Sequence, residues 1–337
     1  MSMTPQRSPR LASLLARRRG TSVGRPVRES DWRERLAAEP AVDGRPASRS
    51  IPQLPGAARF QLAGTASVVI GMLLLGFVVQ FAGISQISHA RDQQLALDSF
   101  RFQLANATAP VGQVGADGKL LAAGTPVALL EIPEIGLREI VLEGTTSGTT
   151  LSGPGHRRDT PLPGQIGASV VYGRQATYGA PFADIARLSP GDTITATTGQ
   201  GAARYTVTDV RFTGDALPAA MTAGEGRLTL VSAAGLPFVP DSIVRVDAKL
   251  ASKSVESPGK VVGYPALDSS ELTMAGDPTA LPLLVLGVIL LFITMALFTL
   301  SRRYWGRWQT WIVAVPVLLA LGTFTAQQAV VLLPNLL

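Results

Sequence analysis

Three runs of the chain are nearly free of charge and are long enough to cross a membrane. No Asp, Glu, Lys or Arg lies between Arg59 and Arg91, whereas the last run is interrupted by Pro316 and by two glutamines. A helix needs about 20 apolar residues to span a ~30 Å hydrocarbon core. We therefore predict three transmembrane helices, over residues 60–84, 281–300 and 311–333. The alternative, helices buried in a soluble core, fits their length and flanks less well.

Between the first two runs the pattern changes to short stretches that alternate polar and apolar residues, with Gly and Pro between them. Such stretches are typical of β-strands in a sandwich or closed barrel, which we place at residues 126–250. Only one stretch of this region, Pro181–Leu188, has a helical pattern. The predicted strands are Val127–Ile132, Ile140–Glu143, Ser169–Tyr172, Thr193–Thr197, Arg204–Phe212, Leu228–Ser232 and Ile243–Leu250.

The remaining segments connect these parts. Residues 85–125 are predicted to form a juxtamembrane helix and then a linker rich in Gly, Ala and Pro, and residues 251–280 a second linker. Residues 1–59, rich in Arg, Pro, Ser and Gly, are predicted to be a disordered basic leader, and residues 301–310 a short turn.

The distribution of charge predicts an orientation. Residues 1–59 hold 12 arginines and five acidic residues, and the turn at residues 301–310 is basic and aromatic. Positive charge beside a span marks the cytoplasmic side, so the β domain and the C-terminus are predicted to lie outside a cell membrane. The leader either enforces this topology or binds anionic lipid. The basic excess flanks the spans and is not on the β domain, which argues against a nucleic-acid partner.

Cysteine is absent from the 337 residues. This excludes disulfides, thiolate metal sites and a Cys nucleophile. His, Asp and Glu occur nowhere at metal-ligand spacing, and no glycine-rich loop has phosphate-binding spacing. We predict neither a metal nor a cofactor.

Several motifs of the β domain nevertheless occur in a specific order. They are Ile-Pro-x-Ile-Gly, Gly-Pro-Gly-His, Leu-Pro-Gly-Gln, Pro-Phe and Leu-x-x-Gly-Asp, between residues 126 and 250. In this region the chain resembles the bacterial sortases, most closely the actinobacterial class E type. The resemblance implies a closed eight-stranded β-barrel, used in that family to cut a sorting-signal peptide and join it to an amine.

The resemblance also identifies three positions at which sortases carry their chemistry: a Cys nucleophile, a His acid/base and an Arg that stabilises the oxyanion. Here Arg174 occupies the His position and Ala233 the Cys position. The Arg position falls at Ser242 or Ile243, with Arg245 two or three residues later. The chain is therefore predicted to be a catalytically degenerate member. Ser232 is a poor substitute, because strand alternation turns it to the opposite face.

The framework around the missing groups suggests a cationic cleft. Its candidate ligand-binding residues are Tyr172, Arg174, Tyr178 and Arg245. The alternative is that the two arginines are solvated surface residues. An open cleft also predicts that Arg174→Ala leaves the melting temperature unchanged. His156, in the Gly-Pro-Gly-His motif, is assigned to turn stabilisation.

The preferred hypothesis is a non-catalytic binding or scaffolding element at the outer face of the cell membrane, whose partner is an envelope protein or peptide. One alternative is an atypical transpeptidase or hydrolase with a different nucleophile. Another is an accessory subunit of an envelope transport or assembly complex.

Overall fold

The computed structural model describes residues 78, 80–115, 117–301, 304 and 307–337. The described residues belong to one compact unit, Phe60–Leu337, whereas the other unit, Met1–Arg59, lies outside them. The predicted leader and most of the first predicted span, residues 60–84, are thus outside the described residues. A π-helical turn, Gln80–Ile84, leads directly into helix α1, Ser85–Ala105. This helix lies where the juxtamembrane helix was predicted.

Eight strands close into a barrel in the order β1-β2-β3-β4-β7-β8-β6-β5, which confirms the predicted barrel. The pairs β2–β3 and β4–β7 are parallel, and the other pairs are antiparallel. The strands are β1 Pro126–Ile132, β2 Leu137–Glu143, β3 Gly155–His156, β4 Gly167–Tyr172, β5 Thr193–Thr198, β6 Gly201–Arg211, β7 Gly226–Leu236 and β8 Val239–Leu250.

Strand β3 was not predicted, because two residues are too few to show a periodicity. Gly155 allows β3 to lie close to the loop after β2. A Cβ atom at this position would lie 2.3 Å from the main-chain oxygen of Gly144. A short helix, α2 (Ser147–Ser152), connects β2 to β3, and Thr146 caps it by accepting a hydrogen bond from the Thr149 amide.

The helix predicted at Pro181–Leu188 is wrong: only Ile185–Arg187 forms a 3-10 turn. The Phe182 ring packs so closely on Gly173 that a Cβ there would lie 2.4 Å from it. The Phe182 amide also donates to the main-chain oxygen of Arg174, at 3.0 Å. These contacts hold the segment against the end of β4, and the few residues left are too short to nucleate a helix.

The inner face of the barrel holds the main hydrophobic core, and the alternation along β7 shows how the two faces are separated. Leu228, Leu230 and Ala234 belong to the core inside the barrel. Val231 and Ala233 point to the outer face and belong to a second, smaller cluster. The outer face is therefore the one on which the predicted degenerate position, Ala233, lies.

Two helices follow the barrel, α3 (Leu281–Ser301) and α4 (Arg307–Val331). Both are long and apolar enough to cross a membrane, with mean hydropathies of 2.9 and 1.6. Only 6% and 11% of their most apolar windows is buried, so their apolar side chains face outward rather than into a core. They pack on one another where Gly287 meets Thr325. These two helices correspond to the second and third predicted spans.

Residues 251–280 lie between the barrel and α3 and form three 3-10 turns, at Tyr264–Ala266, Ser269–Glu271 and Pro278–Ala280. They pack on the segment before β1 and on the loop after β2, where the Thr145 hydroxyl donates to the main-chain oxygen of Glu271. The side-chain oxygen of Gln113 accepts from the amides of Val261 and Val262, and Ser270 and Glu271 are buried.

The barrel has two ends, and α1 connects them. At what we call the near end, His89 of α1 packs on Gly179 and bonds Glu139 at 3.1 Å. At the far end, beyond the last turn of α1, Ala109 packs on Gly199 of the β5–β6 turn. The 21 residues of α1 cover about 31 Å at ~1.5 Å per residue. The two ends are therefore well separated, and the site described below lies at the near end.

Candidate functional site

The three positions at which the resemblance predicts lost catalytic groups lie side by side. The parallel pair β4–β7 places Tyr172 opposite Val231, and the Gly173 amide donates to the main-chain oxygen of Val231 at 3.0 Å. Arg174 therefore follows the end of β4 beside Ala233. Across the antiparallel pair β7–β8, Ala233 lies opposite Ile243. The barrel topology alone brings these three positions together.

Ala233 lies in an apolar environment. Only 2% of its surface is exposed, and it packs in the outer cluster with Tyr172, Val231 and Leu336. Ser232 faces the opposite side of the strand, is fully buried, and donates its hydroxyl to the main-chain oxygen of Gly173 at 2.9 Å. Because no base contacts it in the part of the chain that the structure describes, this hydroxyl is a weak nucleophile, and it already has an acceptor.

Arg174 is fully buried, and its guanidinium is bonded to oxygens of three residues. One terminal nitrogen donates to the Thr177 hydroxyl at 3.1 Å and to the main-chain oxygen of Leu337 at 2.9 Å. The other donates to the main-chain oxygen and the hydroxyl of Ser147, at 3.0 and 2.7 Å. Its Nε has no hydrogen-bond partner within the described part of the chain.

Burial lowers the pKa of Arg174 to about 10, although the neighbouring Tyr178 raises it. The Tyr178 ring centre lies 5.9 Å from the guanidinium carbon. A group with this pKa stays protonated at neutral pH, so it cannot give and take a proton as the histidine of a sortase does. The position of the acid/base therefore holds a fixed cation.

The residues after α4 fill the space beside Arg174; we call residues 332–337 the tail segment. Leu336 is fully buried against Ala233, and its main-chain oxygen accepts from the Gln175 amide at 3.0 Å. The main-chain oxygen of Leu337 accepts from the Thr177 hydroxyl at 2.6 Å as well as from Arg174. The tail segment thus occupies the cleft predicted from the sequence.

Asn335 fixes the start of this arrangement. Its side-chain amide donates to the main-chain oxygens of Thr145 and Leu272, at 2.6 and 2.9 Å, and its own amide donates to Ala275 at 2.9 Å. Side-chain and main-chain bonds on both sides hold an extended chain in register, as in peptide recognition.

The four candidate ligand-binding residues share this site but differ in access. Tyr172, Arg174 and Tyr178 are buried, and the Tyr172 hydroxyl bonds the Thr273 hydroxyl. Tyr178 has a positive φ of 49°, and its hydroxyl has no partner among the described residues. Arg245 lies opposite Val231 and is half-buried, and its side chain makes no ion pair or hydrogen bond with the described residues. Neither arginine is a fully solvated surface residue.

Sequence reasoning did not predict the tail segment as an occupant. The third predicted span was extended to residue 333, whereas α4 ends at Val331. The remaining signal was weak: the apolar run continues beyond Pro334 but includes one polar residue, Asn335.

A buried polar network borders the residues that bind the tail segment. The Thr145 hydroxyl donates to the main-chain oxygen of Glu271 at 2.7 Å, and the Arg158 guanidinium lies 3.5 Å from the Glu271 carboxylate. Burial raises the pKa of Glu271, although Arg158 opposes the effect. His156 is fully buried, with its Nδ1 2.8 Å from the Glu143 carboxylate and its Nε2 3.0 Å from the Pro161 oxygen. His156 thus joins β2 and β3 to the following turn.

No group of three or more His, Asp or Glu side chains able to hold a metal ion occurs within the ranges that the structure describes. The chemistry available at the site is therefore hydrogen bonding, a buried cation and apolar contact.

A family model and several solved structures are similar to this chain. A family model described as the Sortase domain matches residues 130–237. Sortase E from Streptomyces avermitilis is 30% identical over 39% of this chain and 91% of that chain, with a TM-score of 0.34. A sortase D5 transpeptidase from Clostridium perfringens is 21% identical over 48% of this chain and 99% of that chain, with a TM-score of 0.41.

A structure of sortase E1 from Streptomyces coelicolor, with a tripeptide in its active site, is 24% identical over 39% of this chain and 91% of that chain, with a TM-score of 0.33. Among curated protein sequences none matches the chain. The family model and the identity to the Streptomyces avermitilis enzyme, which the chain covers almost completely, establish the relationship. This chain belongs to the sortase family.

Proposed function

We propose that this chain is a non-catalytic sortase homologue, anchored by its apolar helices in the cell membrane, and that it binds or scaffolds an envelope protein or peptide at the outer face. The proposal rests on the residues that occupy the cleft. The positions of the three sortase groups hold Arg174, Ala233 and Ile243, and the tail segment fills the space between them.

The Cys, His and Arg on which sortase chemistry depends are all replaced at their expected positions. The chain has no thiol to attack a peptide carbonyl. Arg174 stays protonated at neutral pH, and Ile243 offers no charge to an oxyanion. Arg245 is two residues from Ile243 on the same face of β8, so a cation lies close, but a cation stabilises a transition state only when a nucleophile produces one. These features disfavour the alternative of an enzyme with another nucleophile.

The cleft retains the means to hold an extended peptide. The Gln175 amide, the Thr177 hydroxyl and the Arg174 guanidinium all bind main-chain oxygens of the tail segment, and such contacts are independent of peptide sequence. Specificity comes from the apolar pocket at Ala233, which holds Leu336, and from the two carbonyls that bind the Asn335 amide. A partner segment with an Asn followed by apolar residues would compete with the tail segment for these groups.

The catalytic part of the proposal is tested with the full chain purified in mild detergent. Incubation with sorting-signal peptides and an amine acceptor should give neither cleavage nor ligation, as followed by mass spectrometry. Turnover that is lost in Ser232→Ala would establish a serine enzyme and overturn the proposal.

The binding part is tested with a fluorescent peptide of sequence Leu-Leu-Pro-Asn-Leu-Leu. Leu336→Asp places a charge in the apolar pocket and should release the tail segment, so the peptide should bind this variant and not the native chain. The matched control is Leu217→Asp, at an exposed leucine outside the site, which should not bind the peptide. Equal binding to all three chains would place the peptide elsewhere and contradict a role for the cleft.

A further inference from the structure

The turn between β7 and β8 exposes large apolar side chains. We call residues 236–239 the hairpin tip; Leu236, Phe238 and Val239 in it are 73%, 52% and 70% exposed. Isolated apolar residues are common on protein surfaces, but adjacent ones indicate a surface that something covers. The tip and its flanks, from Gly235 to Pro240, are uncharged, and two of these residues are prolines that have no amide proton to leave unbonded.

The hairpin tip lies at the near end of the barrel. The Gln175 side chain donates to the main-chain oxygen of Gly235 at 2.9 Å, while its amide donates to Leu336 of the tail segment. The opposite end of β7 is at the far end, because Gly226 packs on Gln165, whose side chain donates to Val111 beyond the end of α1. Strand β7 therefore runs from the far end to the near end and presents its turn there.

The last turn of α4 meets the same end of the barrel. The Ser147 hydroxyl donates to the main-chain oxygen of Val330 at 3.4 Å, and Arg174 donates to that hydroxyl at 2.7 Å. Tyr178 and Leu151 also pack on Val330. Two consecutive hydrogen bonds, through the Ser147 hydroxyl, thus connect Arg174 at the degenerate site to the end of α4. From Val231 at the site, β7 continues for five residues to Leu236, about 17 Å at ~3.4 Å per residue.

From this placement we infer that the hairpin tip inserts into the lipid interface beside α3 and α4. The apolar tip lies at the end of the barrel that the last turn of α4 also meets. Lipid at this depth accepts apolar side chains without charge, which is what the tip offers. The contact fixes the near end, with its cleft, at the membrane surface. This inference rests on the membrane anchoring in the proposed function.

The experiment uses the absence of native cysteine. Val239→Cys is labelled with an environment-sensitive fluorophore in the full chain, which is then reconstituted in vesicles of phosphatidylcholine and phosphatidylglycerol. Some of the lipid carries a quencher near the top of its acyl chains. Two labelled controls accompany it: Ala202→Cys, exposed at the far end, and Phe292→Cys, exposed in the middle of α3.

We expect quenching at Val239→Cys to be several-fold larger than at Ala202→Cys, with emission shifted to shorter wavelength. Equal quenching at these two sites, with strong quenching at Phe292→Cys, would overturn the inference and leave the anchoring intact. Failure of quenching at Phe292→Cys would overturn the anchoring and the inference together. If Val239→Cys is unquenched in vesicles but protected from a membrane-impermeant maleimide in native membranes, a protein covers the tip and the inference is wrong.

Discussion

Two buried arginines on the barrel differ in what neutralises them. Arg211, at the end of β6, donates to the Asp247 carboxylate at 2.6 Å, and the Thr229 hydroxyl donates to the same carboxylate. Arg174 is more deeply buried but donates to hydroxyls and main-chain oxygens, and it forms no ion pair with an Asp or Glu side chain among the described residues. Arg211 is a closed side-chain pair, whereas the hydrogen bonds of Arg174 are spread over oxygens of three residues, one of which belongs to the tail segment.

The difference shows what became of the degenerate site. A buried charge requires compensation, and a closed ion pair such as Arg211–Asp247 provides it within the barrel. At Arg174 part of the compensation comes from Leu337, on a segment that follows the last helix. The cleft and helix α4 are therefore coupled, because the tail segment that supplies an acceptor to Arg174 begins where α4 ends.

The largest effect is expected from breaking the closed pair. Asp247→Ala leaves the Arg211 charge buried without its carboxylate, which typically costs about 3–5 kcal/mol. Arg174→Ala removes the charge together with its bonds and leaves hydroxyl and main-chain acceptors without this donor, at about 1–3 kcal/mol. We therefore expect Asp247→Ala to lower the melting temperature more than Arg174→Ala does. Thermal denaturation of both purified variants in the same detergent measures the order.

This expectation replaces the one drawn from the sequence, which treated Arg174 as part of an open cleft and expected its removal to leave the melting temperature unchanged. Full burial and four hydrogen bonds instead lead us to expect a lower melting temperature in Arg174→Ala. An unchanged melting temperature in Arg174→Ala would show that the cleft is open in solution and that the tail segment does not occupy it.

An effect of intermediate size is expected from a substitution in the tail segment itself. Leu336→Ala removes most of a fully buried side chain, and such changes cost about 2–5 kcal/mol when the surroundings cannot collapse. Because a short segment can detach alone, we expect most of this loss to appear as local opening. Hydrogen exchange should then be faster at the Gln175 amide, which donates to Leu336, and unchanged at the Val207 amide on β6.

Leu333→Ala is the matched control for this experiment, since Leu333 belongs to the same segment but is only partly buried. It should leave exchange at Gln175 close to that of the native chain. Faster exchange at both Gln175 and Val207 in Leu336→Ala would mean that the tail segment and the barrel open as one unit, which would contradict a separable ligand-like segment.

The sequence predicted most of the barrel because its strands have strong period-2 patterns. Strand β7 is an example: its alternation correctly placed Ser232 and Ala233 on opposite faces. The order of the motifs predicted that Arg174 and Ala233 belong to one site. What the sequence did not predict depends on contacts between distant residues: β3, the turn at Phe182, and the tail segment on Arg174, which is 163 residues away from Leu337.

The smallest effect is expected from a change in the buried polar network that borders the tail segment. Burial raises the pKa of Glu271 above its ordinary value, so folding favours its protonated form. This contribution to stability is fully present below the unfolded pKa of Glu271 and is lost as the pH rises through its higher folded pKa. Glu271→Gln keeps the shape and cannot ionise. We therefore expect the melting temperature of Glu271→Gln, relative to the native chain, to increase as the pH is raised from acid to neutral.

One Glu271 oxygen lies 3.5 Å from the Arg158 guanidinium, while the other is buried without a partner among the described residues. The arginine favours the ionised form and the unpaired oxygen disfavours it, and the raised pKa means that desolvation outweighs the ion pair. Arg158→Gln removes the charge that favours the ionised Glu271. We therefore expect the melting temperature of Arg158→Gln, relative to the native chain, to decrease as the pH is raised, which is opposite to the trend of Glu271→Gln. A Glu271→Gln profile parallel to the native one would mean that Arg158 fully compensates the buried carboxylate. The support of the tail segment would then be a closed ion pair like Arg211–Asp247, unlike Arg174, which forms no ion pair with an Asp or Glu side chain among the described residues.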